Sequence, residues 1–341
     1  MKTNYRYSFL ILSIILLFCF FTNISLGSVS IPIKDVFNSL IGVSTSNESW
    51  QYIVQNYRLP KAFTAILVGS GLGISGLMMQ TLFRNPLAGP FVLGITSGAS
   101  LGVALIIMGA SIFGGALAGL LISKWSIVIA ASLGSFLVLL AVLIVSSRVR
   151  DTMAILIIGL MFGSITAAVV SVLSYFSSAE QLQQYIFWGF GSLGNLSWSE
   201  LLIFFIIYCF GIVLSIISTK GLNTLLLGEN YAKSLGLNIK KSRLLIIIAT
   251  SLLAGTITAF AGPIAFIGLA IPHLTRQIFN TSNHKILLPA VFLFGAIVML
   301  ICDSIAQLPT SDYTLPINAI TSLIGAPVII WLLVRKRKMI F

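Results

Sequence analysis

The chain is poor in charge. Of its 341 residues, 8% are Asp, Glu, Lys or Arg, where a soluble domain carries roughly 25%. Hydrophobic residues make up 57%, and the mean hydropathy is +1.06. This excludes disorder, a collagen-like fibre and a water-soluble globule with an ordinary charged surface. The two histidines, His273 and His284, have no ligand partner at a useful spacing, so no metal site is expected. The three cysteines, Cys19, Cys209 and Cys302, all lie in apolar runs. They form neither a disulfide framework nor a CxxC pair. The dipeptide Gly-Lys never occurs, which removes a Walker A nucleotide loop, and HExxH is absent. No span holds a clearly central acid or base of the kind proton- and sodium-coupled carriers keep inside the bundle. If this chain moves a solute uphill, the energy comes from another subunit.

What is present is a series of uncharged runs. A bilayer crossing takes about 20 apolar residues, so the length holds roughly eight to twelve crossings in one domain, residues 1–341. The runs place spans near 9–26, 62–82, 91 onward, 126–145, 153–176, 201–218, two between Arg243 and Arg276, then 286–301 and 315–334. The third run is long for one helix and leaves a short extra segment near Gly114 to Leu121. The 32 uncharged residues before Arg276 are too few for two full crossings at about 1.5 Å per residue. One full and one short span fit, turning at Gly262-Pro263. The fold class is an all-α polytopic membrane protein of about ten transmembrane helices. The first run also fits the apolar core of a signal peptide behind Lys2 and Arg6, but it leads into Thr22-Asn23-Ile24-Ser25 with no clear AxA cleavage site.

The formal charge of +12 is a topology signal. On a soluble protein an isoelectric point near 9.9 would suggest nucleic acid. Here the cations lie between spans, and no nucleic-acid partner is expected. With ten spans, 16 of the 20 basic residues fall on the side of the termini; Lys34, Arg58, Lys61 and Lys124 fall on the other. The excess predicts cytoplasmic termini.

Several motif matches carry no chemistry. Gly71–Gly76 and Gly189–Gly194 fit GxGxxG, but neither sits in a soluble strand-turn-helix unit. Gly98-Ala99-Ser100-Leu101-Gly102 fits GxSxG without the strand an elbow needs. Gly69-xxx-Gly73, Gly115-xxx-Gly119 and Gly159-xxx-Gly163 are small-residue faces suited to tight helix packing. Ala88-Gly89-Pro90 and Ala261-Gly262-Pro263 precede apolar runs on opposite sides. That is the pattern of an inverted repeat or a chance match of a short string.

Four segments together resemble the FecCD/BtuC-type permeases of ATP-driven iron-siderophore, haem and cobalamin importers. They are Arg58-Leu59-Pro60-Lys61; Gly69–Ser97, GSGLGISGLMMQTLFRNPLAGPFVLGITS; Leu225–Leu237, LLLGENYAKSLGL; and Ala261–Leu274, AGPIAFIGLAIPHL. Asn283-His284, Leu287-Leu288-Pro289, Thr314-Leu315-Pro316 and Ile324-Gly325-Ala326-Pro327 follow. The resemblance spans about residues 50–337. It implies a type II ABC importer permease fold that acts as a non-catalytic subunit without a cofactor. The partners it implies are a second permease, two cytoplasmic ABC ATPases and an extracytoplasmic solute-binding protein, in a bacterial inner membrane whose lipid surrounds the spans. The cargo it suggests first is a ferric siderophore, with haem or cobalamin as alternatives. A self-sufficient secondary transporter or channel is the rival from another class.

The resemblance assigns three regions. The ATPase would dock on a coupling loop at about 219–243, with Leu227, Gly228, Glu229, Ala232, Leu235 and Gly236. Read from the residues alone, Gly228-Glu229-Asn230 would cap a short helix over 231–235 ended by Gly236, which is either a coupling lever or an ordinary connector. The inner gate would fall at Thr152 and Met153. The family pattern has two small polar residues there, so Met153 departs from it, and Thr152 also suits an N-cap. The binding protein would dock at Arg58, Lys61 and the position of Gln307. Lys61 replaces an arginine and loses its planar fork, and Gln307 stands where a third arginine is usual. Arg58 and Lys61 also suit interfacial anchoring of the second span.

Overall fold

In the computed structural model the described residues are 5–43, 45–109, 123–146, 149, 152–309, 311 and 313–334. The helices are α1 (Arg6–Ser25), α2 (Ile33–Ile41), α3 (Glu48–Ile53), α4 (Leu59–Phe83), α5 (Ile95–Ile107), α6 (Lys124–Ser146), α7 (Thr152–Tyr175), α8 (Ala179–Gly189), α9 (Trp198–Ile217), α10 (Thr219–Leu225), α11 (Glu229–Ser234), α12 (Ile239–Ala261), α13 (Ile267–Phe279), α14 (His284–Ala306) and α15 (Ile317–Val334). A π-helical turn, Val54–Arg58, leads into α4, and a 3₁₀ turn, Pro90–Leu93, precedes α5. No strand occurs among the described residues. Among the described residues, seven helices are long and apolar enough to cross a bilayer, and α5 and α15 are shorter apolar helices. Together with the 13-residue α13, these helices occupy the positions that the charge-free runs marked. The segment near 114–121, the residues Arg148, Arg150 and Asp151, and the basic tail 335–338 lie outside the described residues.

The polar stretch after α1 holds α2 and α3. Asn47 caps α3 by accepting from the Ser49 backbone N–H at 2.9 Å. The third span is a 13-residue helix that starts late, after Gly94 in the left-handed region at φ 73°. The predicted turn at Gly262-Pro263 is present. Gly262 has φ 77°, and a Cβ there would lie 2.8 Å from the Trp188 carbonyl oxygen, so both conformation and space require glycine. Gly89, in the matching Ala-Gly-Pro string, has φ −102°, so the two turns differ in backbone conformation.

The chain divides into two compact units. The first comprises Met1–Leu77, Ser192–Cys209 and Ile264–Phe341. In it α1 lies on α14 through Leu12, Ala290 and Ile297, joined by Phe279 of α13, with Phe9 packed against the Phe279 ring. Helix α4 meets α13 and α14 through glycines. A Cβ on Gly69 would collide with the Gly295 carbonyl, one on Gly295 with the Gly69 carbonyl, and one on Gly76 with the Gly268 carbonyl. Lipid supplies no hydrophobic force between helices, so association there relies on close backbone packing and polar contacts. One such contact is the buried pair Ser70 Oγ and Tyr208 Oη, 2.6 Å apart.

The second unit comprises Met78–Gly191 and Phe210–Pro263. It repeats the device with other residues. Gly98 of α5 and Gly134 of α6 each face the other's carbonyl, Gly102 faces that of Ala130, and Gly159 of α7 faces that of Val92. Ser135 Oγ donates to the Ile95 carbonyl at 2.9 Å, which adds a polar tie where α5 and α6 run closest. At the start of α8, Ser178 and Gln181 form a reciprocal capping box.

These contacts make a prediction. Gly76→Ala places a methyl where a backbone carbonyl already sits, so α4 must move from α13. Gly189→Ala meets nothing within 4 Å. Thermal unfolding of the detergent-solubilised chain should show Gly76→Ala destabilised by about 1–3 kcal/mol, the cost of overpacking a close contact. Gly189→Ala should unfold like the parent. Equal midpoints for the two variants would refute the role given to Gly76.

Candidate functional site

Three regions carry the functional expectations. The first lies in the first unit, where α1 ends and α4 begins. Arg58 points inward, not to solvent, and is 8% exposed. Its guanidinium donates to the carbonyls of Ile24 (3.0 Å) and Ser25 (2.9 Å), and to that of Val29. These are the unsatisfied carbonyls at and just beyond the C-terminus of α1, where a cation is favoured by the helix dipole. Gly27 makes room: a Cβ there would lie 2.7 Å from the guanidinium. The sequence reading had Arg58 and Lys61 as an outward pair, and the structure separates them. Arg58 is engaged within its own subunit because five fixed donors match a group of carbonyls that would otherwise be orphaned.

Lys61 is the accessible member. Its Nζ lies 3.1 Å from Asp303 Oδ1, with the lysine side chain 22% exposed and the aspartate 3%. Asp303 is a junction. Its Oδ2 also accepts from Asn23 Nδ2 at 2.9 Å and from Gln307 Nε2 at 2.7 Å, and Asn23 donates further to the Ser304 hydroxyl at 3.0 Å. Gln307, expected at the docking surface, is therefore turned towards Asp303. One carboxylate thus ties α1, α4 and α14. Sequence reasoning assigned Asp303 no role. Asn23 and Asp303 are 280 positions apart, and no local pattern links them.

The second region, in the second unit, is the loop read as a coupling element. The helix is α11, Glu229–Ser234, two residues earlier than expected, with Gly228 at its N-cap and no side-chain cap. Glu229 sits in the first turn, where a negative charge suits the dipole, and forms a salt bridge with Arg243 at 2.9 Å. The end is a Schellman motif: Leu237 N–H donates to the Ala232 carbonyl at 3.0 Å and Gly236 N–H to that of Lys233 at 2.9 Å, with Gly236 at φ 83°. Arg84, unassigned in the sequence reading, donates from Nη2 to the Leu226 carbonyl at 2.9 Å. Ala232 is fully buried, while Leu227, Tyr231 and Leu235 are each nearly 60% exposed. Their spacing of four puts three large apolar groups in a row on a short, clamped element.

The third region is the start of α7. Thr152 is its first residue and Met153 its second; the Thr152 side chain lies outside the described residues, and Met153 is half exposed. Gly159, about two turns later, packs against the 3₁₀ turn before α5.

A profile described as the FecCD transport family matches residues 15–335. The hemin transport system permease protein HmuU of Yersinia pestis is 35% identical over 315 residues, covering 92% of this chain and 91% of that protein. The vitamin B12 import system permease protein BtuC of Klebsiella pneumoniae is 37% identical over 289 residues, 84% of each chain. A solved ABC transporter assigned to the metal-chelate type, in an inward-facing conformation, superposes with a TM-score of 0.83 at 32% identity. The match covers 97% of this chain and all of that one.

The Asp303 junction makes a second prediction. Lys61→Met leaves a buried carboxylate without its cation. That should cost on the order of 2 kcal/mol, below the roughly 3–5 of a fully buried pair because Lys61 is partly solvated. Adding Asp303→Asn removes the orphaned charge while keeping an acceptor for Gln307 and Asn23. The double variant should therefore unfold at a higher temperature than Lys61→Met alone. If the two losses simply added, the pair would have no coupling and the junction no energetic role.

Proposed function

The chain belongs to the FecCD transport family, and from that premise we propose that the whole chain, 1–341, works as one transmembrane permease domain of an ATP-driven importer in a bacterial inner membrane. The observation that carries this reading is the clamped loop at α11. An ATPase needs an element that is rigid enough to transmit force and apolar enough to be gripped. The salt bridge of Glu229 with Arg243 and the bond from Arg84 to Leu226 supply the rigidity. The exposed row of Leu227, Tyr231 and Leu235 supplies the grip. Gly228, Ala232 and Gly236 shape the element without projecting from it. The permease itself does no chemistry, and ATP is hydrolysed by the partner.

In this reading the termini and α11 face the cytoplasm with two ATPases. A second permease, identical or related, completes the translocation pathway, and a solute-binding protein docks on the opposite side. Lys61 is the docking cation there. Arg58 and Gln307 support it from behind, Arg58 by holding the end of α1 and Gln307 by holding Asp303. Thr152 and Met153, at the first turn of α7, form the inner gate. The cargo is a ferric siderophore. Haem and cobalamin belong to the same chemical class, a metal held in an organic chelate, and that class is what the names of the relatives have in common.

Three variants test the coupling role. Glu229→Lys sets two cations against each other at Arg243. Gly236→Pro demands a φ near −65° where the backbone has 83°. Leu235→Asp leaves that backbone intact and removes one apolar group. All three should insert normally, and all three should retain at least about tenfold less ATPase on co-purification, the loss typical of an interface hot spot. A cytoplasm-only reporter fused after Phe341 should be active, and one placed within Gln181 to Gln184 should be silent. Full ATPase retention would make the loop a passive connector, and reversed reporters would put it on the wrong side.

A further inference from the structure

Helix α2 is built the wrong way round for a helix surrounded by water. Its inner face carries Asp35 and Ser39 with Val36, all buried. Its outer face carries Ile33, Phe37 and Ile41, one turn apart, exposed at 66%, 44% and 73%. The inner polar groups are fully used by the fold. Asp35 Oδ1 accepts from the Ser46 N–H and hydroxyl at 3.1 Å each, Ser39 Oγ donates to the Asp35 carbonyl at 2.7 Å, and Gln55 Nε2 donates to the Ser39 carbonyl at 2.8 Å. Among the described residues the outer stripe stays largely open, with only Phe37 partly covered, by Phe21.

A second observation says what covers the rest. Phe37 is the first ring of a chain that runs around this end of the unit. It meets Phe21 of α1 at 5.2 Å, Phe21 meets Phe20 at 5.8 Å, Phe20 meets Phe63 of α4 at 5.5 Å, and Phe63 meets Trp198 of α9 at 6.2 Å. Trp198 donates its indole N–H to the Gln55 carbonyl at 3.0 Å. Aromatic rings gathered at the ends of several spans, with a tryptophan whose N–H finds a polar partner, mark the boundary between headgroups and acyl chains. On α1 the same surface continues as Leu10, Ile14, Leu17 and Phe18, exposed on a helix of which little is buried. A spanning helix with that surface faces lipid. The α2 stripe is therefore continuous, through Phe21, with a lipid-facing surface.

We infer that α2 is an interfacial helix, lying in the plane of the membrane boundary with Ile33, Phe37 and Ile41 in the acyl chains of the adjacent leaflet. Such helices sink their apolar face about 5–10 Å into the headgroup–acyl boundary. Lys34, exposed at the edge of the stripe, reaches outward to the lipid phosphates by extending its stem. The consequence is a fixed depth for the α1–α4 connection, and hence for the Arg58 and Lys61 cluster that follows it. The inference stands whatever the cargo and whichever side of the membrane this end occupies.

The test is a depth measurement on the full chain in lipid vesicles. With Cys19, Cys209 and Cys302 replaced by alanine, single cysteines at 33, 37, 41 and 48 are spin-labelled. Their collisions with oxygen and with a water-soluble nickel chelate are then compared. Labels at 33, 37 and 41 should be rich in oxygen contact and poor in nickel contact, with a ratio several-fold above that at position 48 in the solvated start of α3. As a second measurement, Phe37→Trp in the native chain should gain fluorescence that lipids brominated on the acyl chain quench and aqueous iodide does not. Nickel accessibility at 37 equal to that at 48 would overturn the inference. So would dipolar broadening between labels at 37, which would put a second copy on the stripe, and so would protection that appears only when a solute-binding protein is added.

Discussion

The structure depends on how closely helix backbones approach one another. In the first unit, Gly69 and Gly295 each lack the side chain that would strike the other's carbonyl, and Gly76 does the same at Gly268. In the second, Gly98 and Gly134 repeat the arrangement. Water would drive apolar helices together, but acyl chains are as apolar as leucine and do not. What remains is dispersion between closely fitted surfaces and a few polar ties, and both fall off steeply with distance. The glycines therefore set the spacing on which the longer-range contacts rely. Lys61 on α4 meets Asp303 on α14 because Gly69 and Gly295 hold the same two helices together two turns below.

The polar groups are few and concentrated. Asp303 gathers Lys61, Asn23 and Gln307, Arg58 gathers three carbonyls, and the loop at α11 is held by Arg84 and by Arg243 through Glu229. Each joins separate elements of its unit at a defined point. Charge is thus used for position more than for surface. That changes the sense of the basic residues around the start of α4: one is a structural clasp, and the other is a cation oriented by a buried carboxylate.

Much of the fold was legible because lipid imposes a simple code. Charge ended the runs at Arg84 and at Arg243, and the observed helices end or begin nearby, at Phe83 and at Ile239. The Gly262 turn was legible because 32 residues cannot make two full crossings. The family was legible in the order of four motifs. What escaped was non-local or local and polar. Helices α2 and α3 were hidden by their polar setting and by an inverted apolar stripe on α2. The Asp303 junction was hidden because its members come from the first, second and ninth spans. Arg84 was read as the end of a span, since nothing in its neighbours announces a contact with Leu226. The start of α11 was misjudged by two residues because glycine at the N-cap offers no side-chain signal.

We propose that this chain is a passive pathway powered by another subunit. The direct measurement is uptake of a radiolabelled ferric chelate into vesicles that contain the permease, its ATPase and its binding protein, with no ion gradient. The account predicts accumulation that requires ATP inside the ATPase's compartment and vanishes when any of the three components is left out. Accumulation by the permease alone, driven by a proton or sodium gradient and indifferent to ATP, would contradict it.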